Sequence, residues 1–115
     1  MGPTYGRIMN LKQQLANMKT IYKYPLQLLD TQEVKLPKWC TPLSAQMQNG
    51  EIVMWALVDT AEPLVSAMVT IIGTGDENIP HSFYVGREHN LFLGTLQDRS
   101  FVWHVFIRGS FTHQS

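Results

Sequence analysis

The chain has 115 residues, of which 44% are hydrophobic and 16% are charged, the size and composition of one globular domain. Its nine basic and nine acidic residues cancel, and no basic run occurs, so the sequence argues against a nucleic-acid partner. The single cysteine, Cys40, excludes an internal disulfide and favours a reducing compartment. No apolar run approaches the roughly 18 residues of a membrane span, so we expect a cytoplasmic protein with no membrane partner.

Residues 1–17 differ in pattern from the rest of the chain. Ile8, Leu11 and Leu15 recur at helical spacing, and the positions between them are mainly polar. The spacing predicts a short amphipathic helix, and a non-native leader is the alternative interpretation. We place a single β domain at residues 18–109, starting near Met18, and a polar tail at residues 110–115.

From Met18 onward the side chains alternate with a period of two, which is typical of β-strands. We predict that the first strand ends at Pro25 and the second at Pro37, because proline has no N–H to donate to a strand ladder. The last predicted strand is apolar on both faces, so we expect it to be buried on both sides. The pattern predicts about eight short strands, at residues 20–24, 32–36, 43–48, 51–58, 64–73, 82–86, 91–97 and 100–108.

The strongest local signal is the pair Asn49-Gly50 between two of these strands. Asparagine followed by glycine favours a type I′ turn, whose twist matches that of a β-hairpin. The segment 64–73 is rich in β-branched residues and predicts a central strand. With no convincing helix inside the domain, the pattern predicts an antiparallel β-sandwich or a partly open barrel.

Five segments occur in a fixed order: KTIYKYPL at 19–26, WALVD at 55–59, IGTG at 72–75, LGT at 93–95 and FVWHVF at 101–106. Together they resemble a family of small uncharacterised proteins of tailed bacteriophages and prophages, over most of the chain. The sequence departs from that family in its leader and in a longer stretch between Gly75 and Leu91. The resemblance implies a phage origin, expression in the host cytoplasm and an accessory role, and it transfers no catalytic residues.

The 73–76 loop is the most suggestive ligand-binding segment. Glycines on either side of a threonine leave backbone N–H groups available to surround an anion. Arg87 and Arg99 would add paired donors to a phosphate. A phosphate cradle usually leads into a helix, and none is predicted here, so a glycine-permitted bend between strands is the competing interpretation. The residues of the 73–76 loop are Gly73, Thr74, Gly75 and Asp76.

Three further kinds of side chain bear on function. His81, His89 and His104 are the candidate metal ligands, but the chain has no His-x-His pair, so we expect neither a metal nor a cofactor. Cys40 is interpreted as a small buried hydrophobe, because no partner for a nucleophile stands out. Trp39 follows a strand end, where partial exposure would make it an interface hot spot.

No catalytic constellation stands out in the sequence. We therefore expect a non-catalytic accessory protein that forms a homo-oligomer and binds a host protein or a small ligand. A nucleotide- or anion-binding module at the 73–76 loop is the alternative, and a small β-barrel metalloenzyme built on the three histidines is a further one.

Overall fold

The computed structural model describes residues 18–109, so the predicted leader and polar tail lie outside the described residues. This part of the chain folds into seven β-strands. It contains no helix that could cross a membrane. The strands are β1 (Lys19–Leu26), β2 (Thr31–Pro37), β3 (Thr41–Gln48), β4 (Glu51–Asp59), β5 (Leu64–Gly73), β6 (Leu91–Asp98) and β7 (Phe101–Arg108).

The strands form two antiparallel sheets. The three-stranded sheet has the order β1-β4-β3, and the four-stranded sheet has the order β2-β5-β7-β6. The chain passes from one sheet to the other after β1, after β2 and after β4. Because the sheets remain separate, the sandwich-like architecture is the one observed, and the predicted alternative of a barrel is not.

The hairpin predicted at Asn49-Gly50 is confirmed. The two turn residues have φ angles of 52° and 81°, and Gln48 pairs with Glu51 on either side of them. Glycine and asparagine reach these left-handed conformations at lower cost than other residues, which fixes the turn and with it the register of β3 against β4. The predicted central strand is also confirmed, since β5 lies between β2 and β7.

Two strand predictions are wrong. The first strand does not end at Pro25 but continues to Leu26, with Pro25 opposite Val53. This is tolerated because β1 is an edge strand, where the missing N–H costs no ladder bond. No strand forms at residues 82–86. The segment belongs to the loop that connects β5 to β6 across β7, and its one β-type pairing is an isolated bridge between Val85 and Asn90.

The core lies between the inner faces of the two sheets. The inner face of β4 is buried along its whole length, and β7 contributes Val105 and Ile107, which are fully buried. On the other face of β7, His104 and Phe106 are only half-buried, so the expected burial on both sides holds in part. Each fully buried aliphatic side chain contributes about 1.5–3 kcal/mol of transfer free energy.

The sheets come very close where β3 faces β6. Both strands are irregular there, with register shifts between Pro42 and Ser44 and between Phe92 and Gly94. A Cβ atom on Gly94 would lie 2.8 Å from the Ala45 carbonyl oxygen, which is nearer than Cβ contacts come in folded proteins. Glycine at this position therefore allows the backbones of the two sheets to touch.

We predict that Gly94→Ala destabilises the protein by about 1–3 kcal/mol, because the new methyl group meets backbone that cannot move without separating the sheets. Gly73→Ala is the matched control: its methyl group would lie 3.1 Å from the Trp103 side chain and not from backbone, so a side-chain shift of a few tenths of an ångström relieves the contact. Urea denaturation of both variants measures the free energy of unfolding. Equal losses in the two variants would contradict the role given to Gly94.

Candidate functional site

Trp39 lies in the turn between β2 and β3 with a backbone conformation that tryptophan rarely adopts. Its φ angle is 66°, in the left-handed region. Hydrogen bonds on either side fix the turn, from Lys38 N–H to the Pro63 carbonyl at 2.8 Å and from Cys40 N–H to the Pro37 carbonyl at 3.3 Å. A non-glycine residue held in this region costs on the order of 1–3 kcal/mol, and such strain is concentrated at functional sites.

The strained turn leaves the Trp39 side chain 37% exposed. It borders a small pocket of about 120 Å³, with Leu57 as the other large apolar residue. On β1, the strand next to β4, Ile21 pairs with Leu57 and is also exposed. We call Trp39, Leu57 and Ile21 the Trp39 surface. The other residues that line the pocket are Lys19, Thr41, Val58, Asp59 and Glu62.

The Trp39 surface continues onto the outer face of the three-stranded sheet. This face carries Val53 and Trp55, which with Leu57 occupy every second position of β4. None of the seven strands packs against it, since the four-stranded sheet covers the inner face. Lys23 donates a hydrogen bond of 2.8 Å to the Gln48 side chain across β4, and these two polar groups cover part of the outer face.

The 73–76 loop borders a second, larger cleft of about 620 Å³ at one end of the four-stranded sheet. Phe101 and Trp103 form one wall, their rings stacked with centroids 5.6 Å apart. The charged residues among the described lining are Asp30 and Asp76, both acidic. This charge repels a phosphate group and disfavours the predicted anion site.

The amide groups of the 73–76 loop are also largely engaged within the protein. Thr74 N–H donates to the Val102 carbonyl at 3.1 Å, and Asp76 N–H donates to the Gly73 carbonyl at 3.1 Å. The Asp76 carboxylate in turn accepts from Asn78 N–H at 2.8 Å. These bonds are those of a bend between strands, so the loop presents fewer free donors than an anion cradle requires.

The structure does not bring the two predicted arginines together. Arg99 is in the β6–β7 turn with a φ angle of 59° and contacts Asp98 at 3.5 Å, at the same end of the sheet as the 73–76 loop. Arg87 precedes β6 in the loop that crosses β7, near the start of that strand and so near the opposite end of the sheet. The two guanidinium groups therefore do not converge on one ligand, and the nucleotide-binding alternative stays a prediction.

The three candidate histidines are dispersed. Both ring nitrogens of His104 are hydrogen-bonded to hydroxyl groups, Nε2 to Thr74 at 2.7 Å and Nδ1 to Thr95 at 2.9 Å. His89 packs against Tyr84, with ring centroids 5.6 Å apart, and His81 is exposed in the same loop. Over residues 18–109, no three His, Cys, Asp or Glu side chains cluster in a way that could hold a metal ion.

Cys40 is buried directly before β3, with 1% of its surface exposed. Burial raises the pKa of the thiol from 9.0 to about 11. At neutral pH the thiol is therefore protonated and a poor nucleophile. The residue acts as a small apolar side chain of the core, beneath the turn that presents Trp39.

Sequence reasoning singled out Trp39 but missed its neighbours. Leu57 and Ile21 belong to alternating strands, and the alternation does not show which face of the strand meets the core. Both faces of β4 are largely apolar in sequence, and this was the one signal that its outer face, which does not meet the second sheet, carries apolar side chains.

A family model for a domain of unknown function, DUF7352, matches residues 18–114. The chain belongs to the DUF7352 family. The match begins at Met18, so the leader precedes the DUF7352 domain, while Trp39, the 73–76 loop and all seven strands fall within it. No curated protein and no solved structure matches the chain.

The buried Cys40 thiol predicts a specific pH dependence of stability. Its pKa is higher in the folded protein than in the unfolded chain, so unfolding is favoured as the unfolded thiol ionises. The contribution of Cys40 is complete below about pH 9 and is lost as the pH rises towards 11. We expect Cys40→Ala to flatten this part of the profile, measured by urea denaturation at pH 7 to 11. Parallel profiles for the two proteins would contradict the raised pKa.

Proposed function

We propose that this DUF7352 protein is a non-catalytic binding protein that recognises a partner protein through the Trp39 surface. The observation that carries the proposal is the turn that holds Trp39 at the surface, in a left-handed conformation, beside an apolar pocket. A strained backbone persists when the surrounding structure enforces it, and here the result is to keep a large aromatic side chain partly exposed. Tryptophan is among the residues most enriched at interface hot spots.

The dimensions of the pocket favour a protein partner over a small molecule. Its volume of about 120 Å³ is below the roughly 300–1,000 Å³ of most small-molecule sites, and it suits one apolar side chain of a partner. Lys19, Asp59 and Glu62 form a rim of mixed charge around the apolar centre. An apolar centre with a polar rim is the usual organisation of a protein–protein interface.

The side chains best suited to catalysis are engaged elsewhere, which supports a binding role. Cys40 is buried and its thiol has a pKa of about 11, so it does not supply a thiolate at neutral pH. His104 has both ring nitrogens bonded to threonine hydroxyls, which leaves neither nitrogen directed at a substrate. The proposal therefore involves no cofactor and no covalent step.

The finer parts of the proposal concern origin and location. The ordered segments from KTIYKYPL to FVWHVF resemble tailed-phage and prophage proteins, and we propose on this basis that the protein is a phage-type accessory factor. Its partner would then be a host protein, met in the host cytoplasm. A single cysteine kept as a free, buried thiol is compatible with that reducing compartment.

We propose further that the protein is a homo-oligomer that associates through the outer face of the four-stranded sheet. Phe106 is packed between Phe83 and Phe92, with ring centroids 5.2 Å and 5.7 Å away. Phe92 is exposed, so these three rings form an aromatic patch at the surface. An exposed apolar patch of this kind is typical of an association surface.

Replacing Trp39 by glycine tests the binding surface without disturbing the fold. Glycine adopts the left-handed conformation without strain, and this gain is offset by the packing lost with the ring and by the greater freedom of glycine in the unfolded chain. We therefore expect the free energy of unfolding to change by less than about 1 kcal/mol. We expect the affinity for the partner to fall at least about 30-fold, the loss of a hot-spot residue worth about 2 kcal/mol. Affinity capture from host cytoplasm identifies the partner, and titration of the purified partner gives the dissociation constant.

Phe101→Ala is the matched control, because Phe101 is an exposed aromatic residue of β7 that lies outside both the Trp39 surface and the aromatic patch. It should bind the partner as tightly as the unchanged protein. A partner that binds the Trp39→Gly variant with unchanged affinity would show that the Trp39 surface is not the binding site.

Sedimentation equilibrium tests the oligomer. We expect a mass that is a multiple of 13.1 kDa, and a return to 13.1 kDa in Phe92→Lys, which places a charge in the aromatic patch. Leu64→Lys is the control, since Leu64 is also exposed on the same sheet, at 64% against 54% for Phe92, but lies outside the patch. A monomeric mass for the unchanged protein over the micromolar range would rule out the oligomer.

A further inference from the structure

The cleft beside the 73–76 loop lies where β5 ends and β7 begins, next to the start of β2. Ile71, a buried residue of the core, is part of its lining. Phe101 and Trp103 are on the core-facing side of β7, at alternate positions that lead to the buried Val105. Their stacked rings therefore form an aromatic wall that extends from the core to the exposed Phe101 side chain.

Backbone hydrogen bonds hold two loops in place around this cleft. Ile71 N–H donates to the Asp30 carbonyl at 3.0 Å, which fixes the end of the β1–β2 loop against β5. Thr74 N–H donates to the Val102 carbonyl at 3.1 Å, which fixes the 73–76 loop against β7. Each loop contributes one acidic residue to the lining, Asp30 from the first and Asp76 from the second. The fold thus positions the backbone that carries each carboxylate.

The negative charge of the cleft is not compensated by the protein. Among the described residues, no lysine or arginine lines the cleft, and neither Asp30 nor Asp76 takes part in an ion pair. Arg99, two residues from Phe101 in the chain, contacts Asp98 instead. The volume of about 620 Å³ lies within the roughly 300–1,000 Å³ of most small-molecule sites. The cleft therefore has the size of a ligand site and the charge to attract a cation.

We propose that this cleft binds the guanidinium group of an organic cation. A guanidinium is planar, so it stacks on an aromatic face, and its fork of N–H groups pairs with carboxylates. The aromatic wall of Phe101 and Trp103 and the two carboxylates supply both kinds of contact in one space. An ammonium group is attracted by the same charge, but it has no flat face to stack.

The cleft is separate from the Trp39 surface. β2 begins at Thr31, next to Asp30, and ends at Pro37, next to the turn that carries Trp39. These seven residues of extended strand span about 20 Å. The inference therefore does not rest on the partner proposed for the Trp39 surface, and the failure of either proposal leaves the other standing.

Calorimetric titration of the full chain with Nα-acetyl-arginine amide tests the proposal. The control ligand is Nα-acetyl-citrulline amide, which has nearly the same shape but carries a neutral urea group. We expect the arginine compound to bind at least about tenfold more tightly, and its affinity to fall as added salt screens the carboxylates. Nα-acetyl-lysine amide, which keeps the charge without the planar fork, should bind more weakly than the arginine compound.

Two variants locate the binding. Asp30→Asn and Asp76→Asn each remove one charge and keep a side-chain oxygen, so the Asn78 N–H retains its acceptor at position 76. We expect each substitution to weaken binding of the arginine compound about tenfold. Glu88→Gln is the matched control, because Glu88 is an exposed carboxylate that lies outside the cleft, and this variant should bind as the unchanged protein does.

Three results would overturn the proposal: no binding of the arginine compound at millimolar concentration, equal affinity for the arginine and citrulline compounds, or unchanged affinity in both aspartate variants. The source of the guanidinium is assigned by comparing butylguanidinium with a capped peptide that has one central arginine. Tighter binding of butylguanidinium supports the site as one for a free small molecule. Tighter binding of the peptide supports it as one for an arginine side chain of another protein.

Discussion

The approach of Gly94 to the Ala45 carbonyl governs how the two sheets are arranged. At this point β3 and β6, each an edge strand of its own sheet, come together through irregularities in both ladders. Their contact closes one side of the sandwich and covers the core at Leu93 and Leu96, which are buried. The outermost strands on the other side are β1 and β2, so theirs are the strand edges that remain available to other chains.

Those two edges are poorly suited to pairing with another sheet. On β2, Glu33 and Lys35 form an ion pair at 3.4 Å, and the Ser66 hydroxyl and the Lys35 ammonium lower the pKa of the Glu33 carboxyl. On β1, Lys23 and Pro25 interrupt the edge with a charge and a residue that cannot donate. Charges and proline are the usual means by which edge strands avoid aggregation. The edges are thereby less suited to the association proposed above than the faces, where the Trp39 surface and the aromatic patch lie.

The candidate site could be predicted in part. Trp39 was identified because it follows a strand end, but its left-handed conformation depends on hydrogen bonds to Pro63 and Pro37, and the first of these comes from a distant part of the chain. The 73–76 loop was chosen for its glycines, and the structure shows its amides largely used within the protein. Local sequence indicates where a backbone can bend, whereas the partners of its N–H groups are set by the strands that lie beside it.

The sequence by itself determined the class of fold and its most local features. Alternation of apolar residues specified the strands, and Asn49-Gly50 specified a hairpin because its conformational preference does not need the rest of the protein. Only the tertiary structure decided the length of β1 and the absence of a strand at 82–86. In each case the deciding factor was the arrangement of strands distant in sequence: the edge position of β1 for Pro25, and the β7 surface for Phe83.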